Sequence, residues 1–193
     1  PPDTARRWKQ AVGYRTGSHP RAGQANKWAA ETTPIKVGDG RYMCSAMNDM
    51  MKLDPPNGHE IWRYNAGVKY HSIPYTAAGK GVVYYTSSTV PEGQPCHHRI
   101  LESTLDMRLI AVDADTGKAC SPFGFNGQIN LMQGIRESVP GFVSITTPPP
   151  IVNGVLVVNH EVLDGQRRCA PSGVIRAYDA VFGNLVLSWD VNN

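Results

Sequence analysis

Among the side chains whose types could hold a polar ligand or a metal ion are Glu31, Lys80, Thr147 and Asp164. Glu31 stands just ahead of a β-rich run, and Lys80 is a cation between two glycines, Gly79-Lys80-Gly81. Thr147 carries a hydroxyl ahead of Pro148-Pro149-Pro150, and Asp164 offers the oxygen donors that a hard cation takes. Each also has a plain structural reading. Glu31 fits a surface carboxylate, Lys80 a solvated loop cation, and Thr147 an extended residue before proline. Asp164-Gly165 fits a common turn pair. His71 precedes the Lys80 loop, and extra residues intervene between them. His97-His98 are adjacent, and on a strand they would point to opposite faces, so they read as structural and not as a chelating pair.

The remaining chemistry-bearing residues narrow the classes. Cys44, Cys96, Cys120 and Cys169 show no Cys-x-x-Cys spacing, which argues against a zinc ribbon or a thioredoxin-type site. Cys96 and Cys120 flank a strand pair and could bridge in an oxidising compartment, or all four could be small buried residues. A net charge of +3, without runs of Lys or Arg, gives no case for a nucleic-acid partner. No apolar stretch approaches the roughly 18 residues of a membrane span, and no signal peptide is recognisable. Any anchor or export signal is therefore expected upstream of Pro1.

The elements that must position these residues are strands. Ile35–Val37, Gly38-Asp39-Gly40 and Arg41–Cys44 read as strand, turn and strand. Ile151-Val152, Asn153-Gly154 and Val155–Val158 repeat the pattern with a favoured hairpin pair. Val82–Tyr85 is a further β-branched and aromatic run. Asp54, Asp113 and Asp179 each end an apolar run, and each is followed four residues later by glycine: Gly58, Gly117 and Gly183. They recur about 60 residues apart, as expected for one four-stranded sheet per repeat in a β-propeller. The chain is therefore expected to be all-β, with residues 1–193 forming part of one domain and repeats near 31–64, 82–123 and 147–191. Trp62 and Trp189 are expected to pack between neighbouring sheets, and Trp8 to Gly17 to supply an outer strand of a preceding unit. Three repeats do not close a ring, so the sequence reads as a fragment of a longer protein that is inactive in isolation.

The motifs resemble those of the membrane-bound quinoprotein dehydrogenases of the glucose/quinate/shikimate family, most of all quinoprotein glucose dehydrogenases. The resemblance rests on Glu31-Thr32-Thr33-Pro34-Ile35-Lys36-Val37-Gly38-Asp39 with Tyr42-Met43-Cys44, on Arg108-Leu109-Ile110-Ala111, and on Ser172–Asp179. It implies an eight-bladed propeller, of which this chain covers about three N-terminal blades, with pyrroloquinoline quinone (PQQ) as cofactor and Mg2+ or Ca2+ as metal. It implies Glu31, Lys80 and Thr147 as PQQ-binding residues and Asp164 as a metal ligand. Lys80 stands where the family has an arginine, and Gly165 where it usually has an asparagine. The expected reaction is oxidation of D-glucose to gluconolactone, with electrons passed to ubiquinone at the bacterial inner membrane and the propeller facing the periplasm. Quinate or shikimate oxidation and a non-catalytic propeller scaffold are the alternatives. The catalytic aspartate and the substrate and quinone sites are expected beyond Asn193.

Overall fold

A computed structural model describes residues 31–73, 79–135, 139–163, 165 and 170–190. The segment Trp8 to Gly17, Cys169 and Asp164 lie outside the described residues.

The strands are β1 (Ile35–Val37), β2 (Gly40–Cys44), β3 (Met50–Leu53), β4 (Glu60–Tyr64), β5 (Val83–Thr86), β6 (His98–Ser103) and β7 (Arg108–Asp113). They continue with β8 (Gln128–Asn130), β9 (Val143–Ser144), β10 (Ile151–Val152), β11 (Val155–Val158), β12 (Glu161–Val162), β13 (Val174–Asp179) and β14 (Leu185–Asp190). Among the described residues they form three four-stranded antiparallel sheets, β1-β2-β3-β4, β5-β6-β7-β8 and β10-β11-β13-β14, with β9 and β12 paired alongside. No α-helix occurs among these residues, and no helix is long and apolar enough to cross a membrane.

The turn chemistry read from the sequence is what closes the sheets. Asn153 and Gly154 both take positive φ, 50° and 77°, the geometry that joins β10 to β11 without splaying them. In each Asp-x-x-x-Gly turn the glycine N–H donates to the aspartate carbonyl: Gly58 to Asp54 at 2.8 Å, Gly117 to Asp113 at 2.9 Å and Gly183 to Asp179 at 3.0 Å. The Asp113 carboxylate also accepts N–H bonds from Asp115, Thr116 and Cys96. Burial would raise this carboxyl, but these donors outweigh it and hold the group below its ordinary range. The middle repeat departs from the pattern. After Gly117 the chain makes one bridge at Ala119 and then turns through residues 120–127 before β8 starts. Positive φ at Gly124, Asn126 and Gly127 builds that excursion.

The middle sheet is covered on both faces. Ile100, Ile110 and Val112 enter a core shared with Tyr42, Cys44 and Met50 of the first sheet. Leu101, Leu109 and Ala111 enter a core shared with Leu156 and Tyr178 of the third. This accounts for the continuous apolar run Leu109-Ile110-Ala111-Val112, since a strand with two buried faces has no polar side to alternate with.

The sheets dock through their turns. Trp62 of β4 lies over Gly117 so closely that a Cβ there would sit 2.6 Å from the indole, and its Nε1–H donates to the Ala114 carbonyl at 3.1 Å. At the next junction Ile129 of β8 takes that place, within 2.5 Å of a Cβ at Gly183. Trp189 is 54% exposed, and no further sheet covers β14 among the described residues. Gly117→Ala should cost about 2 kcal/mol or more, since the new methyl meets both a left-handed backbone and the indole ring. Chemical unfolding reads this directly; an unchanged midpoint would show that the ring moves aside freely.

Cys96 and Cys120 are joined by a disulfide with a Cα–Cα distance of 5.8 Å, closing a loop of sequence separation 24. A loop of that size constrains the unfolded chain by about 3 kcal/mol on the entropy model. Unfolding with and without reductant should therefore differ by an amount of that order, and coincident curves would refute it.

Candidate functional site

Two chain segments that are far apart in sequence meet at the entry to the first sheet. Thr33 forms an isolated parallel bridge with Gly81, and the Thr33 N–H donates to the Lys80 carbonyl at 3.3 Å. This bridge sets Glu31 beside Lys80, with Lys80 Nζ 3.3 Å from Glu31 Oε2. The side chains are 42% and 49% exposed, so each retains open coordination for a ligand. A third segment completes the constellation. Gly81, at φ 149°, packs near Pro148, whose Cγ would lie 3.8 Å from a Cβ on that glycine. Thr147, next in sequence to Pro148, is exposed. The three sequence-derived ligand candidates Glu31, Lys80 and Thr147 thus belong to three segments that touch.

Behind this edge the packing is tight. A Cβ on Gly79 would sit 2.1 Å from the Ser45 carbonyl oxygen and 3.0 Å from Cys44 Sγ, so the chain needs glycine immediately before Lys80. The Cys44 N–H donates to Thr32 Oγ1 at 3.4 Å, and the thiol lies 3.5 Å from the same hydroxyl. Glu102 and Asn48 escaped the sequence reading, which took Cys44 as a small buried residue and Thr32 only as part of a motif. The available signal was Glu102, an acid inside the run Arg99-Ile100-Leu101-Glu102-Ser103, where a solvated face was the easier interpretation.

Asp164 lies outside the described residues, and these contain no group of three or more His, Cys, Asp or Glu arranged to hold a metal. Close by in sequence, the Ser144 hydroxyl donates to Glu161 Oε1 at 2.6 Å across the β9–β12 pair. His71 is exposed in a short 3-10 turn, and the structure brings its backbone, at 3.0 Å from a Cβ on Gly141, toward a different loop. His97 and His98 are not splayed to opposite faces. His97 precedes β6, and the two rings meet edge-on with centroids 4.4 Å apart. Each is held locally, His97 Nδ1 at 2.6 Å from the Val90 carbonyl oxygen and His98 Nδ1 at 3.1 Å from Thr86 Oγ1.

With this geometry in place, the likeness to known proteins is informative. The family model for the glucose/ethanol/alcohol dehydrogenase β-propeller domain, of the PQQ type, matches residues 2–193. The glycerol dehydrogenase large subunit of Gluconobacter thailandicus is 72% identical over 192 residues, which is 100% of this chain and 26% of that protein. Quinoprotein glucose dehydrogenase A of Acinetobacter calcoaceticus is 32% identical, over 94% of this chain and 24% of its own length. The quinate/shikimate dehydrogenase (quinone) of Acinetobacter baylyi is 34% identical, over 96% of this chain and 24% of its own. The crystal structure of quinohemoprotein alcohol dehydrogenase from Comamonas testosteroni superposes with TM-score 0.67 at 22% identity, over 85% of this chain and 21% of that one. That last likeness speaks to the fold.

Proposed function

Because the chain belongs to the glucose/ethanol/alcohol dehydrogenase β-propeller family, we propose that it supplies part of the PQQ-binding wall of a polyol dehydrogenase acting on glycerol or a similar small polyol. The observation that carries the cofactor reading is the half-exposed Glu31–Lys80 pair beside the Thr147-Pro148 loop. A propeller used only as a scaffold has no need of such a pair. The polyol reading rests on the 72% identity to a glycerol dehydrogenase subunit, against 32% and 34% to the glucose and quinate/shikimate enzymes.

The side chains suit an acidic quinone. Lys80 offers a cation to a ligand carboxylate, as a mobile point charge and not as the planar fork of an arginine. Glu31 accepts hydrogen bonds from ligand donors, and the Thr147 hydroxyl can donate to a quinone oxygen. When bound, PQQ supplies the ortho-quinone that takes two electrons from the substrate carbinol. Asp164 is the proposed ligand of a Mg2+ or Ca2+ ion that polarises that quinone. The Cys96–Cys120 disulfide supports an oxidising compartment, in keeping with a bacterial periplasmic face at the inner membrane and ubiquinone as electron acceptor. Titrating the full-length apoprotein with PQQ, followed by quenching of tryptophan fluorescence, tests the cofactor reading. Saturable quenching is expected, and a flat titration would contradict it.

A further inference from the structure

Glu102 is 1% exposed, in a strand that otherwise buries Ile100, Leu101 and Ser103. Its Oε1 accepts the Asn48 side-chain N–H at 2.7 Å, and Asn48 Oδ1 accepts the Leu105 N–H at 3.0 Å. Its Oε2 has no well-formed hydrogen bond. Asn48 also closes the turn after Cys44, its backbone N–H donating to the Ser45 carbonyl at 3.0 Å, and Cys44 is itself 0% exposed. A buried carboxyl with one idle oxygen is costly wherever an apolar residue would serve. The thiol in turn touches both halves of the candidate site: Thr32 Oγ1 at 3.5 Å on the Glu31 segment, and the Gly79 backbone on the Lys80 segment.

We propose that Glu102 is a positioning residue of the cofactor site, holding Asn48 and with it the turn 44–48, so that segments 31–33 and 79–81, which pack on that turn, present Glu31 and Lys80 in register. This rests on the PQQ reading above. Burial pushes the Glu102 carboxyl well up, and burial together with that carboxyl pushes the Cys44 thiol up as well. Oε1 remains the acceptor for Asn48, and Oε2 stays without a hydrogen-bond partner. Glutamine keeps an oxygen that accepts from Asn48, whereas leucine does not.

The test uses the full-length protein and three variants: Glu102→Gln, Glu102→Leu and Cys44→Ala. Hydrogen exchange at the Thr33 and Gly79 amides, which donate to the Lys80 and Ala46 carbonyls, reports segment order without any cofactor. PQQ affinity, by titration, reports the site itself. Losing one such buried hydrogen bond should raise exchange and weaken PQQ binding by roughly 10-fold in Glu102→Leu and Cys44→Ala. Glu102→Gln should remain within about twofold of the parent in both. Exchange and affinity unchanged in Glu102→Leu, with only the melting temperature lowered, would overturn the proposal in favour of a purely structural carboxyl. So would Glu102→Gln behaving as Glu102→Leu. If Glu102→Leu fails to fold, Cys44→Ala carries the same two readouts and decides alone. PQQ binding absent from the parent itself would overturn the functional reading, while the exchange data would still decide whether Glu102 orders the two segments.

Discussion

Arg99→Met is expected to destabilise the protein by about 3–5 kcal/mol, because it orphans several buried carbonyls at once. Arg99 is 2% exposed, and its guanidinium donates only to backbone oxygens. Nε and Nη2 reach the Cys96 carbonyl at 3.1 Å and 2.7 Å, and Nη1 reaches Ala180 and Val181 at 3.0 Å and 2.8 Å. One side chain thus fixes the disulfide-bearing turn of the second sheet and ties it to the turn after β13 in the third. Methionine keeps much of the packing volume and removes every donor. Lysine should recover only a fraction of the loss, since a single ammonium does not span carbonyls on two sides. Urea unfolding gives the magnitude, and amide exchange should accelerate around residues 180–183 more than in the first sheet. A loss under about 1 kcal/mol would mean that water replaces the guanidinium at little cost.

Lys80→Ala carries the second large effect, on the ligand and not on the fold. Its ammonium is the cation that the Thr33–Gly81 bridge brings to the candidate site, 3.3 Å from Glu31. Removing a charge-assisted bond to a ligand carboxylate should weaken PQQ binding by roughly 10- to 100-fold. Lys80→Arg should bind at least as well as the parent, because the fork engages a carboxylate through two N–H groups. Both variants should melt near the parent temperature, the exposed Lys80–Glu31 pair itself contributing little to stability. PQQ affinity left intact in Lys80→Ala would remove Lys80 from the site.

Much of the fold was legible because its determinants are local. Asn153-Gly154 specifies its own hairpin, and each Asp-x-x-x-Gly turn closes on its own backbone. The position of β8 was not legible, since the turn-rich excursion through residues 120–127 displaces the strand that the repeat led one to expect directly after Gly117. Trp62 docks on the turn of the second sheet, as its place after the first Asp-x-x-x-Gly turn suggested. The site was legible only as separate residues. That Glu31 meets Lys80 depends on a bridge between positions 33 and 81, and that Glu102 meets Asn48 depends on packing between the first two sheets. Local pattern encodes neither. Arg99 and Glu102 illustrate the same limit: on a strand with two buried faces, a charged residue does not mark the solvent side.

We propose above that this chain forms part of a PQQ-dependent polyol dehydrogenase. Its most direct test is dye-linked oxidation by the full-length apoprotein, with and without PQQ and a divalent cation, comparing glycerol, D-glucose and quinate. Activity should appear only with PQQ, with the highest kcat/KM for glycerol. Activity independent of PQQ, or none on any of the three, would contradict the cofactor assignment, and a clear preference for glucose or quinate would contradict the assignment of substrate.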